Sequence, residues 1–309
     1  MEIYISGSLA YDRIMDFPGK FQDHILPEKI HIINVSFTVN GMKEKFGGTA
    51  GNIAYNLALL NEKPLIVASA GKDFEGYENW LRKHQLSLSG IRKIAEEFTA
   101  CAYITTDEAD NQITGFNPGA MKFPSLYDFN GSSPDTTIAI ISPGCIEDMR
   151  TYSSIFKQRK IPYIFDPGQS IPALDSTDIM EMINGAQMLI SNDYELEMIK
   201  KSTGWTKEDI LQKTAVIVTT LGEHGSVITT DGNEIYIPAA KADRLHEPTG
   251  AGDAYRAGLI KGLVMKKSLP ESAQMGSTCA SYAVEKHGTQ EHHFSMDEFW
   301  KRYRKNFSR

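Results

Sequence analysis

The chain has 309 residues, 41% hydrophobic and 23% charged, an ordinary globular balance that allows one large α/β domain or two smaller ones. Its net charge of −7 argues against a nucleic-acid or anionic-membrane partner, so any phosphate site has to be made by local geometry. Cys101, Cys145 and Cys279 show neither metal spacing nor a disulfide framework, and the opening MEIYISGSLAYD lacks the basic-then-apolar pattern of a signal peptide, so a cytoplasmic protein is expected.

In chain order, EIYIS (2–6) is the first predicted strand, and Asp12 lies in the loop after it. In INVSFTVNG, Ile33, Val35, Phe37 and Val39 alternate with polar residues, which predicts a half-exposed strand. FGGTAGNIAYNLALL (46–60) is a glycine turn entering a helix with Ile53, Ala54, Leu57, Ala58 and Leu60 on one face. PLIVASA (64–70) is a second buried strand. TACAYITT (99–106) and QITGF (112–116) flank the turn-like DEADN and predict a hairpin. TTIAIIS (136–142), IPYIFD (161–166), QMLIS (187–191) and AVIVTT (215–220) complete six nearly continuous apolar runs. Such runs separated by helical patterns predict βαβ units in a mostly parallel sheet covered on both faces. The polar-alternating pieces fall outside this rhythm and predict a small β lid, from about 10–45 and 97–118, on one domain spanning 1–309. HEPTGAGDAYRAG (246–258) predicts a tight turn into a helix, with Ala254, Gly258 and Gly262 spaced to pack closely on the sheet. The basic end KRYRKNFSR is read as a solvated helix end.

The six runs end in small residues, turn formers and acids, and ligands of open α/β sheets bind outside those ends. Gly250, Ala251 and Gly252 let backbone N–H groups approach an oxyanion, and Asp253 would sit beside the group attacked. Phosphoryl transfer asks a protein for positioning, charge stabilisation and a carboxylate to take the alcohol proton; the plainer reading is a helix start with an acidic first turn. Gly47 and Gly48 permit close backbone approach, while Asn52 and Asp12 can bond a diol; singly they are also a helix-cap amide and a turn aspartate. NDYE (192–195) reads equally as an N-cap with acids in the first turn. Asp166 in FDPGQ stands at a strand end, where its charge can serve metal or phosphate. Phe37, Tyr103 and Phe116 can flank a nucleobase or simply fill the lid. His224, His246, His287, His292 and His293 lack metal-ligand spacing and read as surface or loop histidines. No GxxxxGK[ST] loop is present, which excludes a P-loop mechanism, and SGSLAYD lacks the GxGxxG turn of a dinucleotide-dependent oxidoreductase.

EPTGAGDAYRAG resembles the C-terminal signature, and FGGTAGNIAYNLALL the N-terminal signature, of the ribokinase-like (PfkB) carbohydrate kinase family. The resemblance covers nearly the whole chain and implies a three-layer α/β fold with a β lid. It implies Asp253 as catalytic base, the amides of Gly250, Ala251 and Gly252 as anion hole, and Asp12, Gly48 and Asn52 as holders of the acceptor sugar. NDYE is similar to the family's NxxE motif, which places Asn192 and Glu195 near Mg2+ and the phosphates through water. TTLGEHG is similar to its phosphate turn, assigning Thr220, Gly222 and Gly225 to ATP. The arginine of GAGDAYRAG, FDPGQ, NPGAM (117–121) and GTQE (288–291) look more like the adenosine or nucleoside kinase branch than ribokinase or fructokinase. Expected, then, is ATP-dependent phosphorylation of a nucleoside 5′-hydroxyl, adenosine first. The alternatives are a sugar kinase and a non-catalytic nucleoside-binding protein. Some members need a monovalent cation such as K+, and lid strands of this type can pair into homodimers.

Overall fold

The computed structural model describes residues 1–307. The main sheet contains β1 (Glu2–Ser6), β4 (Leu65–Ala70), β5 (Ile91–Lys93), β8 (Thr137–Ile141), β9 (Tyr163–Phe165), β10 (Met188–Asn192), β11 (Val216–Thr220), β12 (Ser226–Thr230) and β13 (Asn233–Ile237). Its order is β13-β12-β11-β10-β9-β8-β1-β4-β5, parallel from β5 to β11, with β12 antiparallel to both neighbours. All six apolar runs are strands of this sheet. The helices are α1 (Thr49–Leu59), α2 (Glu75–Lys83), α3 (Ile146–Arg159), α4 (Ser176–Ile183), α5 (Asp193–Thr203), α6 (Lys207–Leu211), α7 (Ala251–Val264), α8 (Leu269–Ala283) and α9 (Met296–Phe307).

Alternation along each strand feeds two cores. Ile3, Ile5, Ile138 and Ile140 join Ile53 and Leu57 of α1 and Ala257 and Ile260 of α7. Tyr4, Ala139 and Ile141 join Met149 and Phe156 of α3, Ile179 and Ile183 of α4, and Leu196 and Ile199 of α5. Each fully buried side chain of this size contributes about 1.5–3 kcal/mol, which is what holds three layers together. Strand order reverses around β1, which pairs with β4 on one side and β8 on the other. A crevice outside the carboxyl ends of such strands is where open α/β folds bind ligands.

The lid sheet has the order β3-β2-β6-β7, from β2 (Ala10–Asp16), β3 (Met42–Gly47), β6 (Ala100–Thr106) and β7 (Gln112–Asn117). β6 and β7 form the expected hairpin. Lys45, Asp12, Ala102 and Phe116 are lateral neighbours and so share one face. Tyr11 and Phe46 occupy the other face and pack on Tyr77 of α2, with ring centroids 5.8 Å and 4.8 Å away.

Three expectations about elements are corrected. Asp12 lies within β2, paired with Lys45 and Ala102, rather than in a loop after β1. The segment 33–41 forms no strand: Val35, Phe37 and Val39 are half-buried between exposed neighbours, but no strand pairs along it. Its alternation is satisfied by aromatic packing, with Phe37 4.8 Å from Phe17 and 5.1 Å from Phe21. The small residues of α7 face α8 rather than the sheet. A Cβ on Gly258 would lie 2.4 Å from the Met275 carbonyl oxygen, and one on Gly262 2.5 Å from Ser272 Cα.

Candidate active site

Asp253 is the third residue of α7, half-buried at its amino end. The turn before it depends on Gly250, whose φ of +81° is left-handed and whose Cβ would stand 2.9 Å from Thr289 Cγ2. The Ala251 N–H donates to the Pro248 carbonyl at 3.1 Å. Of the three amides expected to form an anion hole, this one is therefore engaged in closing the turn.

Asn52, in the first turn of α1, donates from Nδ2 to Asp253 Oδ2 at 2.8 Å, joining the two signature segments across 201 residues. Asn52 Oδ1 accepts from Gln290 Nε2 at 3.0 Å, so the amide expected to hold a diol has its oxygen occupied and one N–H on Asp253. Gln290 Nε2 also donates to the Tyr77 hydroxyl (2.7 Å), which donates to the Gly47 carbonyl (2.8 Å). A Cβ on Gly47 would lie 2.8 Å from Asp12 Oδ2, which places Asp12 directly beside this backbone. Gly48 has φ +85°, and a Cβ there would meet Ser8 O at 2.6 Å, so the chain can enter α1 here only with glycine. Asp12, Gly47, Gly48, Asn52 and Asp253 are thus gathered at one place.

Charge is concentrated there. Burial pushes the Asp253 carboxyl up to about 6; Asp166 and Glu195 push the same way, and Arg256 and Asn52 oppose them. Burial and then Glu247 push Asp12 up to about 6 as well. Asp166, 1% exposed, accepts from Arg256 Nη2 at 2.6 Å and also from Nε. It was expected to serve a metal, and both its oxygens instead face a buried guanidinium. Arg256 projects one turn beyond Asp253 and is the cation of this cluster, a role that GAGDAYRAG gave no sign of.

Asp166, Asn192 and Thr220 stand at the carboxyl ends of the adjacent strands β9, β10 and β11. Asn192 and Glu195 form a reciprocal capping box, at 2.7 Å and 2.8 Å. Gly222 begins the turn after β11 with open space around it, whereas Gly225 packs on the Ile237 carbonyl and closes the hairpin to β12. Among the described residues no three His, Cys, Asp or Glu side chains converge to hold a metal. That donor set still fits Mg2+, which keeps most of its waters and takes one or two carboxylates plus phosphate oxygens; Glu195, whose carboxyl is raised by burial, is the residue available for it.

The aromatic candidates separate. Phe116 is 51% exposed on the face of Asp12. Tyr103 lies on the opposite face, where its hydroxyl accepts from Arg13 Nη1 at 3.0 Å, and Phe37 belongs to the loop cluster with Phe17. His292 is not a surface histidine: it is 1% exposed, its Nε2 is 2.7 Å from Asn56 Oδ1, and burial lowers its pKa to about 4. Gln290, Tyr77 and Trp80 were not anticipated at the site, because a hydrogen-bond network built from scattered neutral side chains has no spacing to read.

Likeness to known proteins settles the family. The model of the pfkB family of carbohydrate kinases matches residues 17–294, and the chain belongs to that family. The nucleoside kinase of Methanocaldococcus jannaschii is 31% identical over 282 residues, covering 90% of this chain and 92% of that one. The structure of Burkholderia thailandensis nucleoside kinase in complex with inosine superposes with a TM-score of 0.87 at 34% identity, covering 99% of this chain and 98% of that one. The same enzyme in complex with ADP-inosine gives 0.84 at 35% identity, covering 99% and 96%.

Proposed function

We propose that this chain transfers the γ-phosphoryl group of ATP to the 5′-hydroxyl of a nucleoside, with adenosine and inosine the first acceptors to test. The observation that carries this reading is the Asn52–Asp253 hydrogen bond at the start of α7, beside Asp12 and the lid. On this reading Asp253 is the carboxylate that deprotonates the alcohol, and Asp12 the one that holds the sugar hydroxyls. Similarity to nucleoside kinases, one of them in complex with inosine, supports a nucleoside over a free sugar.

Asp12 accepts hydrogen bonds from the sugar hydroxyls, and Phe116 on the same lid face offers an apolar ring to the base. Asp253 takes the proton of the 5′-hydroxyl as that oxygen forms its bond to phosphorus and the bond to the ADP oxygen breaks. A carboxyl at about 6 is ionised at neutral pH yet still basic enough to take a proton. Gly250 and Gly252, free of bulky side chains, present backbone N–H groups to the charge that develops on the transferred oxygens. Asn192 and Thr220, at neighbouring strand ends, line the nucleotide side. Mg2+, when bound with ATP through water near Glu195, supplies charge neutralisation on the phosphates.

The test is ADP release with ATP and Mg2+ over adenosine, inosine, other nucleosides, ribose and fructose. Turnover with nucleosides and about 10²–10⁴-fold less in Asp253→Asn is expected for a lost general base. Turnover confined to free sugars would replace the acceptor, and an Asp253→Asn protein of normal rate would refute the base.

A further inference from the structure

Gln290 is 2% exposed and lies between α1 and α2, with Asn52 and Tyr77 on one side and Trp80 on the other. Its Oε1 accepts from Trp80 Nε1 at 2.8 Å. An indole nitrogen can only donate, so the Gln290 oxygen must point at the tryptophan and its NH2 must point away. The two N–H bonds then go to Asn52 Oδ1 and the Tyr77 hydroxyl, at 3.0 Å and 2.7 Å. With its oxygen held, Asn52 must turn its own NH2 toward Asp253, 2.8 Å away. One donor path, from Trp80 through Gln290 to Asn52, runs one way and ends on the carboxylate, while the second Gln290 N–H goes to the Tyr77 hydroxyl.

We infer that Gln290 is a positioning residue which, anchored by the Trp80 indole, fixes the Asn52 amide so that it donates to Asp253 and keeps that carboxylate in its proton-accepting form. This deepens the kinase reading and rests on it. Asp253 is faced by Asn52 from α1, by Arg256 from its own helix, and by Asp166 and Glu195 from the strand-end side, with Tyr77 of α2 nearby. Asn52 is therefore one of only two groups in this set that favour the ionised form, and the one that can be reversed by rotating an amide.

The experiment is the pH profile of kcat/KM for a nucleoside in the unmodified protein, Gln290→Glu and Trp80→Phe. In Gln290→Glu the side chain can no longer donate from its inner end. Asn52 then turns to donate to the introduced carboxylate and presents its oxygen to Asp253. The acid limb should move up by about one pH unit, giving about fivefold lower kcat/KM at pH 6 and recovery at pH 9. Trp80→Phe, which removes only the anchoring N–H and adds no charge, should move it less in the same direction; it separates a turned amide from simple repulsion by the introduced carboxylate, and decides the matter whether or not Gln290→Glu folds. A pH-independent loss, or an unmoved limb in a folded variant, overturns the inference. A carbon NMR titration of the Asp253 carboxyl in the same proteins reads the relay without turnover. If the unmodified protein phosphorylates no nucleoside, the kinase reading fails while the NMR shift still judges the relay.

Discussion

Asp253 carries a conflict between chemistry and folding. Its carboxyl keeps a proton up to about pH 6 in the folded chain but only to about 4 when unfolded. Between those values folding takes up a proton, and above them the folded state bears a charge it disfavours. Asp253→Asn should therefore melt a few degrees higher at pH 7.5, with the gain vanishing below about pH 4, as thermal denaturation at both values would show. Arg256 works in the opposite sense. Removing it as Arg256→Met leaves Asp166 charged and without its partner at 1% exposure, and should cost about 3–5 kcal/mol in urea unfolding. Adding Asp166→Asn to that variant should restore most of the loss, which separates an unpaired charge from lost packing.

At the level of elements, α7 and α8 meet through glycine at Gly258, Gly262 and Gly276, each facing backbone of the other helix. Gly258→Ala puts a methyl 2.4 Å from the Met275 carbonyl, so overpacking of about 1–3 kcal/mol outweighs the roughly 1 kcal/mol that alanine adds to a helix. Gly76→Ala in α2 meets only the Tyr11 hydroxyl at 3.8 Å and should stabilise by about 0.4–1 kcal/mol. Urea midpoints of the two variants, moving in opposite directions, check this. The spacing of Gly258 and Gly262 was legible in the sequence, but not their partner helix with Gly276, since small residues at every fourth position fit a sheet and a helix equally well. Two lid strands were missed for a related reason. AYDRIMD and MKEKFG place Arg13 and Glu44 on one face, where they pair at 2.9 Å, and a strand held by cross-strand charge shows no apolar alternation. INVSFTVNG has the alternation and lacks a partner strand.

Across the whole molecule, the parallel sheet was readable because burial on both faces requires continuous apolar runs, and β1, β4, β8, β9, β10 and β11 obey this. The candidate site was readable where glycine and aspartate lie in short segments, as at 46–52 and 250–253. It was unreadable where Trp80 and Gln290 meet across 210 residues. That separation has a consequence for how the chain is made. Asn52 emerges from the ribosome long before Asp253, and Gln290 comes almost last. A chain that stops before Asp253 carries only the Asp12 and Asn52 side of the candidate site. Sequence distance here acts as a clock: the two sides of the candidate site are synthesised 201 residues apart.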